Sequence, residues 1–212
     1  MADDKDLVWE EVSTEHIIRD KWIDLRRSAF RFPDGRIFEP YYSYTRRDYA
    51  IVVPTDDEGN ILCVRQFRQG IRKVTTEFPA GGIESRDRPD AARPAPGQCS
   101  PEQALAAARR ELREETGYES DRWSFLMKVP SNATISDNYA YLFTAENCRR
   151  RTDQELDEME LLRVEKYTPE QIDALIAQEK FQQADHILAW LLSRKQKEKT
   201  GIACRKTGET EP

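Results

Sequence analysis

The chain has 212 residues, of which 34% are charged, and a formal net charge of −6. That length can bury a real core in one domain with embellishments. The acidic balance argues against a general nucleic-acid binder, whose surface is basic. No apolar run reaches the ~18 residues needed to span a membrane, and the start, Met1-Ala2-Asp3-Asp4, carries no hydrophobic signal region, so a cytoplasmic protein is expected.

Residues 21–45 read as a hairpin: a strand from Lys21 to Phe32, the turn Pro33-Asp34-Gly35, and a return from Arg36 to Thr45. A second hairpin runs from Tyr49 through the polar turn Asp56–Asn60 to Phe67. A short strand near Thr75–Phe78 enters the turn Pro79-Ala80-Gly81-Gly82. Residues 85–99 hold three prolines and no large apolar group, so they read as a surface loop. Ser100-Pro101-Glu102-Gln103 is a capping box and starts a helix, which stops at Thr116-Gly117. Strands follow near Trp123–Val129, Tyr139–Thr144 and Leu161–Tyr167. Thr168-Pro169-Glu170-Gln171 opens a helical part carrying Ile172, Leu175, Ile176, Ile187, Leu188, Trp190 and Leu191. From about Lys195 the tail reads as polar and frayed. This order predicts an α+β fold, a mixed β-sheet between helices, with an N-terminal antiparallel hairpin extension.

Cys63, Cys99, Cys148 and Cys204 form no C-x-x-C pair and read as reduced thiols. His16 and His186 are the sole histidines, neither in a nucleophile context, and no G-x-S-x-G occurs. The chemistry must therefore rest on carboxylates and arginines. The densest cluster is Arg110-Glu-Leu-Arg-Glu-Glu-Thr-Gly-Tyr118. On a helix Glu111, Glu114 and Glu115 share one face, at a repulsive cost of roughly 0.2–0.5 kcal/mol per like-charged pair. A hard divalent cation relieves that repulsion. Such a helix is ordinarily a solvated face. Here an apolar stripe, Leu105, Ala108 and Leu112, runs beside the carboxylates and puts them at the edge of a core.

These residues resemble the Nudix hydrolase box, G-x5-E-x7-R-E-U-x-E-E-x-G-U, where U is aliphatic or aromatic. Glu102, seven residues and Arg110–Tyr118 match its second part, with Gly117 the closing glycine and Gly81 the opening one. Twenty residues separate Gly81 from Glu102 where the pattern has five, so residues 85–99 read as an insertion splitting the box. It is either a tolerated excursion or a lid whose Arg86, Arg88 and Arg93 meet a phosphate. The family's glutamate precedes the helix and pairs with the box arginine. A helical Glu102 would instead lie ~12 Å along the axis from Arg110, and the pairing would fail.

The resemblance implies an α/β/α sandwich over residues 49–195, preceded by a β extension over 1–48 and followed by a polar tail over 196–212. It adds the Ala80 carbonyl to Glu111, Glu114 and Glu115 as ligands of Mg2+ or Mn2+, with Arg110 orienting the carboxylates. Over roughly residues 20–195 the chain is similar to the ADP-ribose and ADP-sugar pyrophosphatases. The matching pieces are Lys21-Trp22-Ile23, Pro33-Asp34-Gly35-Arg36, Val64–Arg68 and Glu77–Gly81. That branch implies that Arg68 binds substrate phosphates, that Glu77 lies beside the metal, and that Gly82 belongs to the substrate turn. Glu158 or Glu160 orients the attacking water, Glu158 being preferred. Trp22 and Phe38 would sandwich adenine from different subunits, implying a homodimer. Ser131-Asn132 departs from the Pro-Gly often found there. The expected reaction is metal-dependent hydrolysis of a nucleoside diphosphate sugar to a nucleoside monophosphate and a sugar phosphate. ADP-ribose comes first, then other ADP-sugars or GDP-mannose, with no membrane or nucleic-acid partner. The alternatives are a hydrolase of nucleoside triphosphates or dinucleotides, and a catalytically silent nucleotide-sugar sensor.

Overall fold

The structure, a computed structural model, describes residues 4–84, 87 and 96–206, without the side chains of 200–206. The arginines assigned to a lid, Arg86, Arg88 and Arg93, and the end of the tail beyond Lys206 lie outside the described residues.

A short 3-10 turn, Asp4–Leu7, precedes β1 (Glu10–Arg19), β2 (Asp24–Arg31) and β3 (Ile37–Thr45). These form a three-stranded antiparallel sheet. The expected hairpin is thus two strands of three. β1 escapes a sequence reading because its apolar residues, Val12, Ile17 and Ile18, follow no period of two, and every residue of it is exposed.

The second sheet is built from β4 (Tyr49–Asp56), β5 (Ile61–Arg68), β6 (Lys73–Glu77), β7 (Ala80–Gly82), β8 (Tyr118–Glu119), β9 (Arg122–Pro130), β10 (Tyr139–Arg150) and β11 (Leu162–Tyr167). Its order is β11-β5-β4-β10-β8, with β6 on β5, β7 on β4 and β9 on β10. β4 and β10 run parallel while the other named pairs are antiparallel, so the sheet is mixed. β4 is a continuous apolar run because both its faces are covered. Ala50 and Val52 pack with Ala104, Ala108 and Leu112 of α1 (Pro101–Thr116). Ile51 and Val53 pack with Ile172 of α2 (Pro169–Ala177) and Trp190 of α3 (Ala184–Lys206). The result is the α/β/α sandwich.

The helix ends follow local chemistry. Ser100 and Gln103 close a capping box at α1, with Pro101 in the first turn, and Thr168 with Gln171 does the same at α2. Gly117 caps α1 in the left-handed region at φ 74°, where a Cβ would overlap the Thr152 carbonyl. The tail differs from expectation: α3 stays helical to Lys206 rather than fraying near Lys195, and Leu191 points outward, 58% exposed. Cys63, Cys99 and Cys148 are buried free thiols. Among the described residues no helix is long and apolar enough to cross a membrane.

Candidate active site

The site forms where the turn after β6 crosses the acidic face of α1. The Ala80 N–H donates to a Glu115 carboxylate oxygen at 3.1 Å. Gly81 lies directly over Glu111, whose carboxylate a Cβ on Gly81 would overlap. This close approach, rather than a special φ, requires the glycine. Ala80–Gly82 pairs with Ile51–Tyr49 of β4. The Cβ position of Gly81 faces α1 and that of Gly82 faces Arg47 on the other side. The short strand thus separates the carboxylates from a cleft of about 630 Å³ beside α3.

Arg110 organises the acidic side. Its guanidinium donates to Glu111 at 2.6 Å, to Glu114 at 2.9 Å and to the Gly82 carbonyl at 2.9 Å. Its remaining partner is Asp87, bound through both carboxylate oxygens at 2.8 and 3.0 Å. This corrects the sequence reading of Glu102. Glu102 is exposed in the first turn of α1, and the Ser100 side chain and its own backbone N–H hold its carboxyl below the usual range. Asp87 stands six positions after Gly81, the spacing the box gives its glutamate, and only 4% of its side chain is exposed. The extra residues therefore enter after the acidic partner, not before it. The far end of the inserted stretch is also tied down. The Gly97 N–H donates to Asp48 at 2.8 Å, and its carbonyl accepts from Lys128.

Burial pushes the Glu111 carboxyl up to about 7 against the opposing pull of Arg110, with Glu114 and Glu160 adding to the rise. Burial raises Glu115 well above the carboxylate range, and Glu111 adds to it. Such acids need a cation to ionise together. An all-oxygen set of Glu111, Glu114, Glu115 and the Ala80 carbonyl suits Mg2+ or Mn2+. Among the described residues no three acidic, His or Cys side chains are already gathered as a ligand set. Arg110 instead holds Glu111 and Glu114, and a cation would compete with it for them.

The loop between β10 and β11 is rooted in the end of α1. Arg151 and Thr152 donate backbone N–H groups to the Gly117 carbonyl at 2.8 and 3.2 Å. The Glu155 N–H donates to the Glu114 carbonyl at 2.9 Å, and the Gln154 side chain to the Glu115 carbonyl at 2.6 Å. Glu160 raises the pKa of both Glu111 and Glu115 and acts on Arg68. Glu158 is exposed. Of the two acidic positions expected on this loop, Glu160 is thus the half-buried one whose charge acts on Glu111, Glu115 and Arg68.

Arg68 on β5 grips the fully buried Glu77, its Nε lying 3.0 Å from each carboxylate oxygen. Burial would raise Glu77, but Arg68 outweighs it and holds the carboxyl below its ordinary value. Arg68 and Gly82 line the cleft, as does Trp22, 60% exposed with Lys21 Nζ 4.7 Å from its ring centre. Phe38 is not part of that lining. It packs edge-on against Phe32 and Tyr41, with ring centres 6.5 and 6.3 Å away. One chain therefore does not bring Trp22 and Phe38 together. Tyr49, with Asp185 and His186 at the start of α3, also lines this cleft, and no motif marks any of the three.

A layered mixed sheet with this box belongs to a defined class of hydrolase. The chain matches the family model of the NUDIX domain over residues 45–191, and it belongs to that family. It is an enzyme, a Nudix hydrolase. It is 29% identical over 172 residues to the ADP-ribose pyrophosphatase of Bacillus subtilis, covering 81% of this chain and 83% of the relative. It is 31% identical over 121 residues to the ADP-sugar pyrophosphatase of Mus musculus, covering 52% and 49%. A crystal structure of an ADP compounds hydrolase shares the fold, with a TM-score of 0.74 at 21% identity over 91% of this chain and 96% of that one.

Proposed function

We propose that this enzyme hydrolyses the diphosphate linkage of a nucleoside diphosphate sugar, ADP-ribose first, to a nucleoside monophosphate and a sugar phosphate. The observation that carries it is the pairing of a buried, cation-demanding carboxylate pair, Glu111 and Glu115, with a large cleft across Ala80–Gly82. The names of the relatives, ADP-ribose and ADP-sugar pyrophosphatase, support the same substrate class.

A bound Mg2+ or Mn2+ would neutralise phosphate oxygens and acidify water. Glu111, Glu114 and Glu115 would hold that cation, with the Ala80 carbonyl. Arg110, fixed by Asp87, orients Glu111 and Glu114. Arg68, released in part from Glu77, supplies positive charge to the diphosphate. Glu160 accepts the proton of the attacking water. Trp22 offers its exposed face to the base, and Phe38 of a second copy would cover the other side in a homodimer. Reduced buried thiols are in keeping with a cytoplasmic protein.

The test is product analysis by phosphorus NMR with Mg2+ and a panel of ADP-ribose, other ADP-sugars, GDP-mannose and nucleoside triphosphates. Nucleoside monophosphate and sugar phosphate in equal amounts are expected. Turnover confined to triphosphates overturns the substrate assignment.

A further inference from the structure

The cleft wall contributed by α3 has chemistry of its own. Asp185, in the first turn of α3, accepts a hydrogen bond from the Tyr49 hydroxyl through one carboxylate oxygen. Burial, and next the bond to Asp185, raise the Tyr49 phenol, so it stays protonated and is a donor. The Ser131 side chain pulls the phenol the other way, toward a lower value. Both Tyr49 and Asp185 line the cleft, as do Ser131 and Asn132. Tyr49 is the direct cross-strand partner of Gly82, and such partners have Cβ positions about 4.5–5.5 Å apart. The phenol therefore spans from the turn that flanks the carboxylates to the head of α3. Asp185 thus lines the same cleft as Arg68 and the Ala80–Gly82 turn.

We infer that Asp185, positioned by Tyr49, is the acceptor for the vicinal hydroxyls of the sugar attached to the diphosphate, with Ser131 and Asn132 at its side. This deepens the nucleoside diphosphate sugar reading and rests on it. A carboxylate with one oxygen held by a fixed donor presents the other in a set direction. Charge-assisted hydrogen bonds from hydroxyl groups are the interaction it makes best. A further phosphate at the same wall meets a like charge. The same group therefore selects a polyol over a polyphosphate.

The experiment compares ADP-ribose with the methyl ester of ADP, which keeps the diphosphate linkage and lacks the sugar, in wild type, Asp185→Asn and Tyr49→Phe. Melting temperatures check that each variant is folded. The expected result is that the kcat/KM preference for ADP-ribose falls about tenfold or more in Asp185→Asn, chiefly through KM. A smaller fall is expected in Tyr49→Phe. Equal losses on both substrates, or an unchanged preference in a folded Asp185→Asn, overturn the subsite and leave the parent reading standing. A wild type that cleaves neither substrate overturns the parent reading and the subsite with it. Should Asp185→Asn fail to fold, Asn132→Ala and Ser131→Ala carry the same comparison, and an unchanged preference in both overturns the subsite.

Discussion

Asp87 and Glu102 compete for one role, and single substitutions separate them. Asp87→Ala removes the bidentate partner of a guanidinium that is only 12% exposed. Leaving a buried charge part-paired costs about 2–3 kcal/mol, and Arg110 loses its orientation toward Glu111 and Glu114. We expect a matching loss in urea denaturation and a fall in kcat of at least about tenfold. Glu102→Ala should leave kcat within about twofold, since that side chain meets only its own helix start. Glu115→Gln probes the other buried acid. Glu115 is held against its own ionisation by burial. The variant should be inactive, yet more stable than wild type by about 1–2 kcal/mol in the absence of metal. Adding Mg2+ should raise the melting temperature of wild type far more than that of the variant. Equal shifts would remove Glu115 from the ligand set.

The loop that carries Glu158 and Glu160 is fastened to the last turn of α1 by four hydrogen bonds, three of them backbone to backbone. Its root therefore moves with the carboxylates, and the freedom left is at its tip. Glu160→Gln should lower kcat by about 10²–10⁴ with KM little changed, as expected for a lost general base. Glu158→Gln should lower it by less than about tenfold. The reverse order in steady-state rates would restore Glu158. Most elements here are legible in the residues themselves. The capping boxes at Ser100 and Thr168, the turn at Asp56–Asn60 and the stripe Ala108–Leu112 each rest on local chemistry. Asp87 was legible in principle, six positions past Gly81, but a proline-rich stretch and a second carboxylate at better spacing to Arg110 masked it. Tyr49, Asp185 and Gln154 were not legible. Their roles come from which strands and helices meet, and no local period records that.

For the molecule as a whole, acid stability should depend on His186. It is fully buried, accepts the Phe78 N–H at 3.1 Å, and burial lowers its pKa from 6.5 to about 4. The unfolded chain takes up a proton that the folded chain refuses. The stabilisation is complete above about pH 6.5 and is lost as the pH falls toward 4, amounting to about 2–3 kcal/mol by pH 4.5. His186→Asn keeps an acceptor and should shrink the difference in denaturation free energy between pH 7 and 4.5 by that amount. The N-terminal sheet makes a second claim at this scale. Val12, Ile17, Ile18, Ile37 and Phe38 are 43–54% exposed on its strands, apolar surface that a lone chain leaves to water. Light scattering should give about twice the 24.7 kDa of one chain. A monomeric mass would leave Trp22 without its partner's ring.

The inserted stretch is moored at both ends, by Asp87 to Arg110 and by Gly97 to Asp48. Each end of the stretch is therefore fixed by a group outside it. Doubling its length would cost only about 0.6 kcal/mol in closure entropy. With both ends pinned, a change of chain length between them is expected to reach the catalytic helix only through Asp87, which makes the Asp87–Arg110 pair the joint through which an insertion would be felt.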